Sequence, residues 1–206
     1  MRVLLAYRCR EEGRSSLFES LLPVGLCSLG STVAARGHRV AVANYSASTE
    51  AEIERHLVGS RPDVVGISVF TFNRTVSFAL ARTVRRLLPA ARIVLGGPHA
   101  SHLAASILDA HPEVDCVVIG EGEETLTRLL DRLSRREDLE MPGVALRRPA
   151  GIVSPGWPEP IPDLDVLPLP FEGFEAFGVD PRRQFVYLIT SRGCPARCVF
   201  CNTPEF

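Results

Sequence analysis

VVGISVFTFNRTVSFALARTVRRLLPAARIVLGG, residues 64–97, is the stretch that sets the fold. Residues 64–70 are apolar or small with no strict polar alternation, as in a strand covered on both faces. Val76, Leu80, Val84 and Leu87 then recur at three- and four-residue spacing, which predicts an amphipathic helix. Asn73 stands where it can cap that helix, and Pro89 ends it. Residues 92–95 resume as strand, completing a β-α-β unit.

The same alternation runs through residues 1–140. Residues 2–6, 39–43 and 116–119 read as further strands; Leu26, Leu29 and Val33, then Leu126, Leu129, Leu130 and Leu133, read as helices, with Gly37 closing the first. Five parallel strands with crossovers predict an α/β, flavodoxin-like (Rossmann-like) doubly wound domain over residues 1–140. Pro149, Pro155, Pro158, Pro160, Pro162, Pro168 and Pro170 are seven of the 16 prolines and predict an extended connector. That connector, with a strand pair at 144–147 and 152–153 edging the sheet, takes up residues 141–183. Residues 184–190 read as a new strand opening a second domain over residues 184–206.

Composition narrows the chemistry. With 206 residues, 46% of them hydrophobic, the chain can bury a full core. A net charge of -1 and a pI near 6.5 give no reason to expect nucleic acid or an anionic membrane as partner. All 23 basic residues are arginine, which removes Schiff-base and phosphate-loop lysines. No apolar run reaches the ~20 residues of a membrane span, and the start does not read as a signal peptide, so a cytoplasmic protein is expected. There, clustered cysteines indicate metal rather than disulfide.

Three of the six cysteines lie in TSRGCPARCVFC, residues 190–201. Cys194, Cys198 and Cys201 follow a predicted strand with the spacing C-x-x-x-C-x-x-C. Four ligands would close a structural zinc or a cubane iron-sulfur site, whereas three leave one iron of a [4Fe-4S] cluster open. Cys9, Cys27 and Cys116 are scattered singly, and core packing is the better reading of Cys116.

Doubly wound sheets bind ligands at the carboxyl ends of their strands. Four loops fall there: Tyr7 onward, Thr71-Phe72-Asn73, Gly96-Gly97-Pro98-His99, and Gly120-Glu121-Gly122-Glu123-Glu124. Paired glycines allow close approach of a ligand to the backbone, though Gly96-Gly97 also suits an ordinary turn. Glu123 and Glu124 in the first turn of a helix would complement its macrodipole without any ligand.

With these motifs in view, PVGLCSLGSTVAARGHRV, PDVVGISVF, GGPHAS and VDCVVIGEGEE, followed by the proline-rich connector and SRGCPARCVFC, resemble the cobalamin-dependent branch of the radical S-adenosylmethionine enzymes. Phe200 and Gly193 belong to the same motif. The resemblance spans the whole chain and includes the anaerobic magnesium-protoporphyrin ester cyclases and the radical methyltransferases. It implies cobalamin on residues 1–140, with contacts at Ser68, Phe70, Thr71, Phe72, Asn73, Gly96, Gly97, Pro98, His99, Gly120, Glu121, Gly122 and Glu123. It also implies a [4Fe-4S] cluster on Cys194, Cys198 and Cys201 that cleaves S-adenosylmethionine, in a partial β/α barrel of which residues 184–206 would be only the beginning. The implied reaction is methyl transfer to, or oxidative cyclisation of, an unactivated carbon of a small-molecule substrate, with the chain alone expected to be inactive.

One departure bears on cobalt. Cobalamin proteins that ligate it through histidine carry D-x-H-x-x-G after strand one, where this chain has Arg8-Cys9-Arg10-Glu11-Glu12-Gly13. The resemblance therefore implies cobalamin held without a histidine from that loop. His99 is the histidine nearest the expected site, and His38 and His56 read as solvated. The rival reading is a flavodoxin-like nucleotide or flavin module with structural zinc.

Overall fold

This computed structural model describes residues 1–13, 21, 23–180, 182, 185, 189, 191–196, 198, 199 and 201. The strand expected at 184–190 and the aromatic Phe200 lie largely outside the described residues.

Strands β1 (Arg2–Tyr7), β2 (Arg39–Asn44), β3 (Val64–Ser68), β4 (Arg92–Gly96) and β5 (Cys116–Val118) pair in parallel in the order 2-1-3-4-5. That is the flavodoxin-like order. Antiparallel β6 (Val144–Arg148) and β7 (Gly151–Val153) extend the β5 edge, as the sequence indicates. At the opposite edge, β8 (Glu175–Phe177) adds to β2 in parallel. This eighth strand has no counterpart in the sequence reading. The connector thus joins one edge of the sheet to the other.

Helices cover both faces. On one lie α2 (Glu50–Ser60), α3 (Arg74–Leu87) and α5 (Ala104–Ala110), packing Ile53, Leu57, Leu80, Val84, Ile107 and Leu108 against Leu4, Ile67, Ile93 and Leu95. On the other, α1 (Val24–Ala35) and α6 (Gly122–Arg135) pack Leu26, Val33, Leu126 and Leu129 against Val3, Leu5, Val64 and Val94. Each fully buried aliphatic contributes about 1.5–3 kcal/mol relative to leaving it in water. A short helix α4 (Pro98–His102) starts just past β4, with Pro98 in its first turn.

Local signals account for the boundaries. Thr49 and Glu52 form a reciprocal capping box on α2, and Gly37, at φ +84°, takes the left-handed turn after α1. Asn73 occupies the N-cap of α3 but its side chain makes no cap bond. Instead its Oδ1 accepts from the Phe70 N–H at 2.7 Å, while Nδ2 donates to the Arg8 carbonyl at 2.9 Å and the Ser68 carbonyl at 3.3 Å. The expected cap is a tie between the loops after β1 and β3.

The His38 side chain is buried and His56 is half-buried, so neither is the freely solvated histidine expected. The His38 side chain is 7% exposed with Nε2 3.6 Å from Asp131 Oδ1. His56 stacks on Phe177 of β8, ring centroids 4.2 Å apart, and shares a 2.7 Å hydrogen bond with the Tyr45 hydroxyl. The arrival of β8 covers His56, and no local pattern near residue 56 shows that. Among the described residues no helix is long and apolar enough to cross a membrane.

Candidate functional site

At the carboxyl ends of β1, β3, β4 and β5 a cleft of about 570 Å³ opens between the sheet and helices α1 and α6. Its floor comes from register. Leu5 pairs with Gly66 and Gly66 with Val94, so three adjacent strands place one row toward the α1/α6 side. The middle of that row has no side chain. A Cβ on Gly66 would stand 2.8 Å from Leu5 Cδ2. Gly25, in the first turn of α1, lines the opposite wall with nothing within 4 Å of where its Cβ would be. Leu26, Leu29 and Leu126 complete an apolar interior.

Two glycines shape the mouth. Gly97 lies at φ +92°, ψ 173°, a region essentially restricted to glycine. Gly120 has φ +69°, and its α-carbon faces Trp157 of the connector. Phe72 is 46% exposed and stacks on Phe70 at 5.4 Å, giving the mouth an aromatic rim.

Of the residues expected to touch a cofactor, Ser68, Phe70, Phe72, Gly96, Gly97 and Pro98 line this cleft, as do Gly120, Glu121, Gly122 and Glu123. Thr71, Asn73 and His99 do not. His99 Nδ1 lies 3.2 Å from Thr71 Oγ1, and its pKa is lowered by burial and then by the charge of Arg74. Asn73 is 1% exposed and committed to its backbone partners. Among the described residues no histidine lines the cleft. The loop after β1 is held by structural bonds: Arg8 pairs with Glu50 at 2.6 Å and the Cys9 N–H donates to Ser46 Oγ at 3.1 Å.

The glutamates after β5 do more than complement a helix dipole. Glu123 is 4% exposed; its Oε1 accepts from Arg192 Nη2 at 2.6 Å and from Ser28 Oγ at 3.0 Å. Glu121 Oε1 accepts from Arg192 Nη1 at 2.9 Å, and its Oε2 from the Ile161 N–H at 2.7 Å. Burial opposes the charge of Arg192, but hydrogen bonds and charge from Glu123, then Glu121, raise its pKa overall. Sequence reasoning had the carboxylates but no way to see their arginine, about 70 residues away in sequence.

Cys194, Cys198 and Cys201 are exposed, and the Cys201 N–H donates to the Cys198 carbonyl at 3.0 Å. As a donor set, three accessible thiols on one loop suit an iron-sulfur cluster with one open iron. Among the described residues no three Cys, His, Asp or Glu side chains converge as a metal site. Cys27 and Cys116 are buried, which pushes each thiol up to about 12 and leaves it inert at neutral pH. A larger cavity, about 770 Å³, lies at the amino ends of the strands beside Arg2, Asp63 and Arg92. That end of a doubly wound sheet is not where ligands bind.

Fold and cleft together define a flavodoxin-like ligand-binding domain. Residues 15–130 match the B12 binding domain model, and the chain belongs to the B12-binding domain family. It is 31% identical over 195 residues to the anaerobic magnesium-protoporphyrin IX monomethyl ester cyclase of Synechocystis sp., covering 91% of this chain and 39% of that protein. It is 33% identical over 200 residues to the hopanoid C-3 methylase of Methylococcus capsulatus, covering 93% of this chain and 38% of that one. The structure of the cobalamin-dependent S-adenosylmethionine radical enzyme OxsB, with aqua-cobalamin and S-adenosylmethionine bound, superposes with a TM-score of 0.79 at 21% identity, over 97% of this chain and 28% of that one. The chain therefore spans about two fifths of the length of the first two relatives and less of the third.

Proposed function

We propose that this chain binds cobalamin in the cleft over β1, β3, β4 and β5 and serves a radical S-adenosylmethionine enzyme, with Cys194, Cys198 and Cys201 as ligands of its [4Fe-4S] cluster. The observation that carries the cobalamin reading is the side-chain gap at Gly66 between Leu5 and Val94. The cleft that Gly66 lines, with Leu5 leaning over it, is an apolar slot inside the sheet-helix interface, of a size typical for one small-ligand moiety and suited to the nucleotide tail of cobalamin. Gly96, Gly97 and Gly120 let a large ligand approach the strand ends, and Phe70 and Phe72 give the macrocycle an apolar rim. Among the described residues the lining holds no histidine, so cobalamin would be held from this wall by apolar side chains and backbone.

When bound, cobalamin supplies a methyl carrier or one-electron centre, and the cluster with S-adenosylmethionine a radical source. The chain's own residues act by holding and excluding. Leu26, Leu29 and Leu126 keep water from the slot, and Asn73 fixes the rim by joining Phe70 to the loop after β1. The reaction served is methylation or oxidative cyclisation at an unactivated carbon of a small molecule; the relatives named above include a methylase and a cyclase.

Anaerobic reconstitution with iron and sulfide, followed by elemental analysis, tests the cysteine assignment. Wild type takes up iron and Cys198→Ala loses most of it. Equal iron in the two overturns the assignment, and zinc in place of iron favours a structural metal site.

A further inference from the structure

Arg192 stands two residues before Cys194, yet its guanidinium is held by Glu121 at the N-cap and Glu123 in the first turn of α6. Nη1 reaches Glu121 Oε1 at 2.9 Å and Glu123 Oε2 at 3.2 Å, and Nη2 reaches Glu123 Oε1 at 2.6 Å. The two carboxylate side chains are 11% and 6% exposed. Ser28 of α1 and the Ile161 N–H of the connector bond the same carboxylates. One node therefore ties together α1, the β5–α6 loop, the connector and the cysteine loop. Ser191, Arg192 and Gly193 also line the cleft, and Gly193, at φ +71°, turns the chain from the node toward Cys194.

We propose that Arg192 is a positioning residue that latches the cysteine loop onto the cofactor cleft, so that filling the cleft and placing Cys194 are coupled. The inference rests on the cobalamin reading above and goes beyond it. The two nearly buried carboxylates share the guanidinium as their cation, so loss of Arg192 alone costs them their counter-charge at the cleft wall. Lysine keeps the charge but cannot present the planar fork that meets two carboxylates at once. Coupling of this kind is reciprocal: whatever holds the loop closed tightens the cleft, and an occupied cleft holds the loop.

The test uses the intact chain and cyanocobalamin, whose cyanide keeps the cobalt from the thiols. Affinity is read by visible absorbance, and alkylation of Cys194 by iodoacetamide is followed by mass spectrometry with and without cyanocobalamin. In wild type, cyanocobalamin slows Cys194 alkylation. Arg192→Gln weakens cyanocobalamin binding about tenfold, a typical coupling magnitude, and abolishes the protection; Arg192→Lys falls between. The triple variant Glu121→Gln, Glu123→Gln, Arg192→Gln removes the buried charges together, keeps the fold, and still lacks protection. Wild type that binds no cyanocobalamin overturns the cofactor reading and the coupling with it. Wild type that binds it while Arg192→Gln and the triple variant bind equally, with Cys194 equally protected, overturns the latch alone.

Discussion

A Cβ on Gly97 would stand 2.9 Å from the carbonyl oxygen of Val69 and 3.1 Å from its amide nitrogen. The turn after β4 is therefore packed directly against the end of β3, at the mouth of the cleft. Gly97→Ala meets backbone that cannot swing aside, in a φ/ψ region that alanine avoids. It is expected to lower stability by about 1–3 kcal/mol, read from urea unfolding, and to reduce cobalamin uptake by displacing the rim.

Gly25 should behave with opposite signs for stability and binding. Its helical position has open space where a Cβ would be. Gly25→Ala gains up to about 1 kcal/mol from helix propensity, whereas Gly25→Phe projects a ring into the cleft. Unfolding curves should show both variants folded. Cobalamin titration should show Gly25→Phe strongly weakened.

Asn73→Ala removes three hydrogen bonds from a side chain that is 1% exposed. Leaving buried backbone partners unpaired costs about 1–3 kcal/mol. The same variant frees the Phe70–Phe72 rim, so near-ultraviolet circular dichroism should change along with the unfolding midpoint.

Acid should loosen the β8 edge. Burial lowers the pKa of His56 below its ordinary value, with the charge of Glu175 opposing. Between the native and ordinary pKa values the unfolded chain binds more protons than the native one, so stability rises with pH there. Lowering the pH through about 6.5 removes stability until native His56 is itself protonated. His38 and His99, also lowered by burial, act in the same direction. His56→Gln, which leaves the Tyr45 hydroxyl a polar partner, should flatten part of the denaturation midpoint's fall between neutral and mildly acidic pH.

The five parallel strands were legible because each is a short run of Val, Ile and Leu buried on both faces, such as residues 64–68. Helix α2 was harder: only Ile53 and Leu57 are buried, although the Thr49–Glu52 capping box was present in the sequence. Strand β8 could not be read, since Glu175-Ala176-Phe177 is a strand only because the edge of β2 receives it. The strand-end loops, glycines included, were legible because doubly wound sheets bind ligands at the carboxyl ends of their strands. The floor of the cleft depends on the register of Leu5, Gly66 and Val94 on three strands, and its wall on Arg192 reaching Glu121 and Glu123; both are tertiary facts.

The central claim is that the cleft lined by Gly66 receives cobalamin. Incubation with hydroxocobalamin, desalting and measurement of cobalt per chain tests it directly, with Gly66→Val as the control that fills the floor. Near-stoichiometric cobalt in wild type, with little in a folded Gly66→Val variant, is the predicted result. Wild type that emerges folded and free of cobalt would contradict the account.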